Sequence, residues 1–479
     1  MWYQVTKATK LSAALIASAL TLLTSCQKEI KNPGSSTDPQ SSARFENKGK
    51  GIGTVSPEMV LRWNEASTYV VRNTPQPPPI TPFWESRYYA MVNIAMYDAL
   101  NNIVPKYKWY ALNAKDKDAD PDAAVSQAAY DVIVYSFGKL NPPANATPLP
   151  VETYIHHLLA QSLNGIADGA AKTKGIALGH AAAQAILEKR TNDGTQNIAY
   201  TFPEGTGPGE YRWTPPFNIP GLPIYGTVDA VGWQHVTPFI LTSGSQFRPG
   251  PPYGQSNVAL AVQTQQYIAD YKEIKHLGCA ACPDRTPDQT HFAKFWAENP
   301  PLGWNTIART IIAQKNLDAW KAARLLAQLH IAEADTYIAS IDAKMHYYFW
   351  RPITAIQLNN LGASPGTTGD ASWDITAFIT PPAPDYPSAH AAAGGAAAEV
   401  IRRFFNKDDF SFSFTSSSAP PGFPAENSTR SFTSLSQAAS ENAISRMYLG
   451  IHFREACLKG KEQGHRIGEW VSTHALQEN

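Results

Sequence analysis

From Thr306 to Met345 the chain is a long run rich in Ala, Leu, Ile and Gln, with apolar residues at steps of three and four. That spacing is the period of a helix, and a stripe of that length commits the centre of the chain to packing helix against helix. Ala123 to Phe137, Val151 to Leu163 and Ala167 to Lys189 read the same way, while the strict alternation of a half-buried strand is scarce. Proline-rich stretches at Thr74 to Phe83, Thr201 to Pro223 and Arg248 to Pro252 mark long ordered loops between helices. The expected fold class is all-α, two packed helical bundles with a shared core. Residues 55–250 are expected to form an N-terminal helical half with a Pro-rich connector, and residues 251–479 a C-terminal bundle.

Composition narrows the function classes. The chain has 479 residues, 43% of them hydrophobic, and a formal net charge of zero. Such a balance carries no nucleic-acid footprint and no disordered body, so any local cluster of cations is a specific feature. Residues 1–26 read as a lipoprotein export signal: Lys7 and Lys10 precede an apolar stretch from Leu11 to Leu23, and Leu23-Thr24-Ser25-Cys26 forms a lipobox. The stretch is short for a membrane span. Cys26 would become a lipidated N-terminus, followed by a polar tether over 27–54, leaving the protein exported and anchored to the bacterial cell envelope. Cys279 and Cys282 are expected to form a local loop bridge or to remain two thiols, since no second Cys/His pair completes a zinc set. Cys457 is expected to be a buried small residue.

Three short segments in the last third carry the chemistry. The first, Lys344 to Pro352 (K-M-H-Y-Y-F-W-R-P), sets two cations seven residues apart, close to one face of a helix. Pro352 pushes Arg351 out of the helical region, toward a helix end. The aromatic run Tyr347-Tyr348-Phe349-Trp350 between the cations is rarely fully exposed, so Lys344 and Arg351 should border a buried or half-buried site. In the second segment, Pro387-Ser388-Ala389-His390 leads into an Ala- and Gly-rich run and reads as a helix capped by Ser388. A helix start presents free N–H groups to an anion, and His390 in its first turn can give or take a proton there. In the third, Arg446 and His452 would diverge on a straight helix, and Gly450 offers a break that turns both inward. His346, close by, reads as a structural histidine. Three cations, a hydroxyl, helix-start amides and two imidazoles suit a tetrahedral or trigonal oxyanion such as phosphate or vanadate.

In this order the segments resemble the vanadium-dependent haloperoxidases, and the superfamily those enzymes share with type 2 phosphatidic acid phosphatases and bacterial acid phosphatases. Its pattern is Lys-x6-Arg-Pro, Pro-Ser-Gly-His and Ser-Arg-x5-His; this chain departs from it only in Ala389, which replaces the glycine. The resemblance runs from about residue 55 to the C-terminus. Earlier segments that carry it are Arg87 to Leu100, similar to a buried family helix, and Pro238-Phe239 with Gln246 to Pro249, similar to a central connector.

By position, the resemblance implies that Lys344, Arg351, Ser388, the Ala389 amide and Arg446 hold the equatorial oxygens of a vanadate cofactor. His452 would ligate vanadium through Nε2, and His390 would be the acid/base at the opposite apex. The implied reaction is oxidation of a halide by hydrogen peroxide, yielding hypohalous acid or a halogenated organic acceptor. The alternative is an acid phosphatase of the same superfamily with His452 as nucleophile. Phosphatase members usually carry Asp four residues after the last His; here that position is Ala456, preceded by Glu455, so the partner orienting His452 is left open. The additional N-terminal half and Ala456 both lean toward the peroxidase. A non-enzymatic surface binding protein that kept the fold is the remaining alternative. Halide choice is left open.

Overall fold

The computed structural model describes residues 55–74, 81–137, 150–196, 202–222, 224–226, 230–358, 364–416 and 428–479. The expected export signal, its Cys26 and the tether lie outside the described residues. Among those described, fourteen α-helices dominate, with a single antiparallel strand pair, β1 (Phe412–Thr415) and β2 (Thr429–Phe432), in which Phe412 faces Phe432. The N-terminal half holds α1 (Glu58–Asn73), α2 (Pro82–Ile103), α3 (Pro121–Ser136), α4 (Pro150–Asn164) and α5 (Ala170–Arg190). After a stretch of loops and short 3-10 turns come α6 (Val258–Ala261), α7 (Gln265–Leu277), α8 (Pro287–Phe295), α9 (Pro300–Lys315) and α10 (Ala319–Tyr347). Then follow α11 (Pro352–Gln357), α12 (Ala389–Phe405), α13 (Leu435–Tyr448) and α14 (Arg454–His474). No helix among the described residues is long and apolar enough to cross a membrane.

The long periodic run of the sequence is two helices. Asn316 adopts the left-handed conformation and stops α9, and the Asp318 carboxylate accepts the Lys321 amide at 3.0 Å to start α10. Periodicity could not reveal this break, because the apolar stripe resumes in phase after it.

One hydrophobic core reaches from Val60 on α1 to Leu476 beyond α14, with α2 and α10 at its centre. Both central helices are buried almost all round, so their polar residues face protein. Two carboxylates illustrate the outcome. Asp98 on α2 accepts the amides of Tyr110, Ala111 and Leu112 at 2.7–3.0 Å. Asp335 on α10 accepts those of Phe239, Ile240 and Leu241 at 2.5–2.9 Å. Each gathers otherwise unpaired loop donors, and Asp335 thereby pins the Pro238-Phe239 connector to the helix that carries Lys344.

The Ala- and Gly-rich run acquires its meaning from α14. Gly460, Gly464 and Gly468 recur every four residues on α14, facing Ser388, Ala392 and Ala396 on α12. A Cβ added at these glycines would lie 2.3, 1.8 and 2.6 Å from the backbone oxygens of those three residues. The two helices therefore pack backbone to backbone, a separation that only glycine permits. Because Ser388 opens α12 and His452 lies just ahead of α14, this contact sets the distance between two parts of the candidate site.

Candidate active site

Lys344, Arg351, Ala389, His390, Arg446 and His452 line one cavity of about 300 Å³. Ser388 stands directly behind it, capping α12 by accepting the Ala391 amide at 3.3 Å. Pro82 and Phe83 at the start of α2 complete the wall with Asn299 and Tyr337, so the N-terminal half contributes to the site.

Lys344 and Arg351 arrive differently from the shared helical face expected. The helix stops at Tyr347, Tyr348 takes a left-handed conformation (φ 54°), and Arg351 sits in extended backbone as the cap of α11. Pro352 explains the extended residue, since it bars the helical region to the one before it. The turn brings both cations to one place from two directions. Phe349 and Trp350 are buried, and Lys344 and Arg351 are themselves only 3% and 1% exposed. His346 was expected to be a structural histidine; it is exposed, with its ring edge-on to Tyr347.

The cations are held by carbonyl oxygens. Lys344 Nζ donates to the oxygens of Pro384 (2.6 Å) and Asp385 (3.0 Å). Arg351 donates from Nε to Ala383 O at 2.6 Å and from Nη1 to Ile451 O at 2.7 Å. Arg446 Nη1 donates to Trp296 O at 3.0 Å, while its buried Nε meets no acceptor. Burial lowers the affinity of Lys344, Arg351 and Arg446 for their protons, that of Arg446 to about 10. Arg351 adds to the effect on Lys344.

Gly450 provides the break expected between Arg446 and His452. Its φ is +82°, and a Cβ there would lie 2.4 Å from Gly278 O, so position and space both require glycine. Arg285 braces the same turn from beneath by donating to the carbonyl oxygens of Tyr448 and Cys279. Cys279 and Cys282 are joined as a local disulfide, and Cys457 is buried and free. Among the described residues no group of His, Cys, Asp and Glu forms a further metal cluster.

Both imidazoles are held neutral. Burial pushes the pKa of His452 well below its usual value, and Arg351, Lys344 and Arg446 push it further. His390 is lowered by burial first and then by Arg446; it hydrogen-bonds to the Trp296 carbonyl and leaves a buried Nε2 without a partner. Ala389 is not among the residues of positive φ and opens α12 as an ordinary helical residue, so its amide needs no glycine. That amide precedes the first carbonyl the helix could offer it.

Asp385 joins the site from outside the three motif segments. Asp385 Oδ1 lies 2.9 Å from His452 Nδ1 and 3.9 Å from Arg351 Nη1, and the residue is completely buried. Burial raises its pKa to about 7, against the pull of Arg351 and Lys344. Its sequence signal is its place immediately before Tyr386-Pro387-Ser388, far from the positions that follow His452. Glu455 is engaged elsewhere: it accepts from Gln266 Nε2, and its amide donates to Asp270.

The donor set fits an oxyanion. Three buried cations and a helix-start amide face a cavity in which Arg446 Nε and His390 Nε2 still lack partners. A buried donor left unpaired costs roughly 1–3 kcal/mol, and more when charged. A trigonal or tetrahedral oxyanion would supply the acceptors and the opposing charge.

Comparison with known proteins agrees. The profile of the VCPO second helical-bundle domain matches residues 324–478, which include all three motif segments. Vanadium chloroperoxidase of Curvularia inaequalis is 27% identical over 299 residues, covering 50% of this chain and 46% of that protein, so the match spans less than half of the relative. The crystal structure of a bacterial vanadium-dependent iodoperoxidase superposes with a TM-score of 0.68 at 24% identity, over 90% of this chain and 99% of that one. A holo-type bacterial vanadium-dependent chloroperoxidase gives a TM-score of 0.64 at 15% identity, over 88% and 98%. Residues 324–478 thus match the VCPO second helical-bundle domain, and the chain shares the helical fold of the bacterial iodoperoxidase and chloroperoxidase structures.

Proposed function

We propose that the protein is a vanadium-dependent haloperoxidase that oxidises a halide with hydrogen peroxide. The observation that carries this reading is the meeting of Lys344, Arg351 and Arg446, all buried, with His390 and His452 around one cavity walled by both helical halves. Lys344, Arg351, Arg446, the Ser388 hydroxyl and the Ala389 amide would hold the oxygens of vanadate, and His452 Nε2 would ligate the metal. When bound, vanadate supplies a Lewis-acid centre that activates peroxide toward halide.

The chain's own part is electrostatic and acid–base. The fixed cations favour negative charge in a pocket that the apolar side chains of Phe83, Ile341, Ile379 and Leu449 also line. His390, neutral and with Nε2 unpaired, is ready to take a proton from peroxide and to return it later. Halide, hydrogen peroxide and one proton give hypohalous acid and water, so one site must both accept and deliver protons. The export and lipid anchoring expected at Cys26 belong to the same proposal.

A second reading, the phosphomonoesterase, gains from Asp385. The carboxylate missing at Ala456 is replaced in space beside His452 Nδ1, so its absence from the sequence no longer counts against a nucleophilic histidine. The relatives and the additional N-terminal helical half still support the peroxidase. Purified protein loaded with orthovanadate should halogenate a dione reporter with peroxide and bromide or iodide. Turnover of phosphate esters that vanadate inhibits, with no halogenation, would overturn the reading.

A further inference from the structure

The carboxylate beside His452 comes from outside the motif that carries the histidine, and its surroundings are built to hold it there. The Asp385 amide donates to Phe349 O at 2.8 Å, and its carbonyl accepts from Lys344 Nζ at 3.0 Å. The next residue, Tyr386, donates its hydroxyl to Gly250 O at 2.6 Å, and Ser388 donates its amide to Ala456 O at 2.9 Å. The backbone that carries the carboxylate is thus fixed from several elements at once.

The imidazole is specified from both ends. Arg351 Nη1 lies 3.0 Å from His452 Nε2 and 3.4 Å from Nδ1, and a guanidinium has donors only, so the nearer nitrogen, Nε2, is favoured to present its lone pair. The proton then belongs on Nδ1, and Asp385 Oδ1 lies 2.9 Å from it with its acceptor capacity otherwise unused. The hydrogen bond made by one ring nitrogen decides what the other can do, which is how buried carboxylates tune histidines that bind a metal or attack an electrophile.

We infer that Asp385 is the positioning residue for His452, locking it as the Nδ1–H tautomer with the Nε2 lone pair directed into the cavity. The inference rests on the proposed function only in taking His452 as the residue that meets the oxyanion. It adds a component to the site that no residue following His452 provides: position 456 is an alanine, and Glu455 is turned to Gln266.

The test uses the full-length protein and two readouts. In the wild type without vanadate, long-range ¹H–¹⁵N spectra, with His452 identified by its loss in His452→Ala, should show Nδ1 protonated and Nε2 bare. In Asp385→Asn the amide can donate as well as accept, so the tautomers should mix. Its orthovanadate Kd, measured by equilibrium dialysis, should rise about 10- to 100-fold, the usual consequence of removing a partner of a metal-binding histidine. Asp385→Glu should recover part of that affinity. A wild-type His452 protonated on Nε2 overturns the inference, whether or not any variant folds. So does an Asp385→Asn protein with an unmixed tautomer and vanadate affinity within twofold of wild type. Lack of halide oxidation in vanadate-loaded wild type, with the Asp385→Asn effects intact, would sink the peroxidase and leave Asp385 standing; normal halogenation without those effects would do the reverse.

Discussion

Gly460→Ala offers a direct test of how the fold sets the site. The added methyl would lie 2.3 Å from the carbonyl oxygen of Ser388, against an ordinary contact of 3.4 Å or more. Both partners are helix backbone and cannot swing aside, so α12 and α14 must separate by about 1 Å, at a cost of roughly 1–3 kcal/mol for overpacking. Separation moves Ser388, Ala389 and His390 on one side away from His452 on the other. Misplacement of about 1 Å can cost around 10²-fold in rate. Gly468→Ala is the control, because its methyl would lie 2.6 Å from Ala396 O, two helical turns further along the same seam. The two variants should lose comparable stability in thermal melts, while only Gly460→Ala loses orthovanadate affinity and turnover by factors of ten or more. Equal damage to the site in both variants, or a Gly460→Ala protein that binds vanadate like wild type, would refute the claim that this seam fixes the geometry.

Other expectations follow from single groups. His390→Ala should slow vanadate-loaded turnover by about 10²- to 10⁴-fold while its orthovanadate Kd changes little, as steady-state kinetics and dialysis will distinguish. Glu85, buried on α2, accepts from Tyr89 and Asn299, and burial raises its pKa to about 8. The folded chain therefore holds this proton more tightly than the unfolded one, so the stability it contributes is complete below pH 4.5 and is lost as pH rises through 8. Glu85→Gln should flatten that loss, on the order of several kcal/mol, in melts compared at pH 5, 7 and 9. Cys26→Ser should abolish incorporation of a labelled fatty acid and release the protein from membranes into the soluble fraction.

The helical class, the small-residue helix after Ser388 and the gathering of Lys344, Arg351, Ala389, His390, Arg446 and His452 were all legible along the chain, for a shared reason. Helical period, capping chemistry and the restriction before proline act over a few residues, so their signals are local. The break at Asn316 was hidden because the apolar stripe continues in phase across it. Tyr348 was hidden because a left-handed tyrosine carries no sequence mark of its own. His346 was misread because a lone histidine in an aromatic run says nothing about which way it faces.

Local pattern thus sufficed for the motif residues that line the cavity and for the helices that carry them. The partner of His452 lay beyond it: Asp385 is distant in sequence, lies outside the three motif segments, and reaches Nδ1 only because α12 and α14 touch backbone to backbone. The glycines that allow this contact, Gly460, Gly464 and Gly468, look in sequence like a weakness in a helix. Their value appears only when the facing helix is in place, because close approach is a property of two surfaces and neither one alone encodes the distance between them.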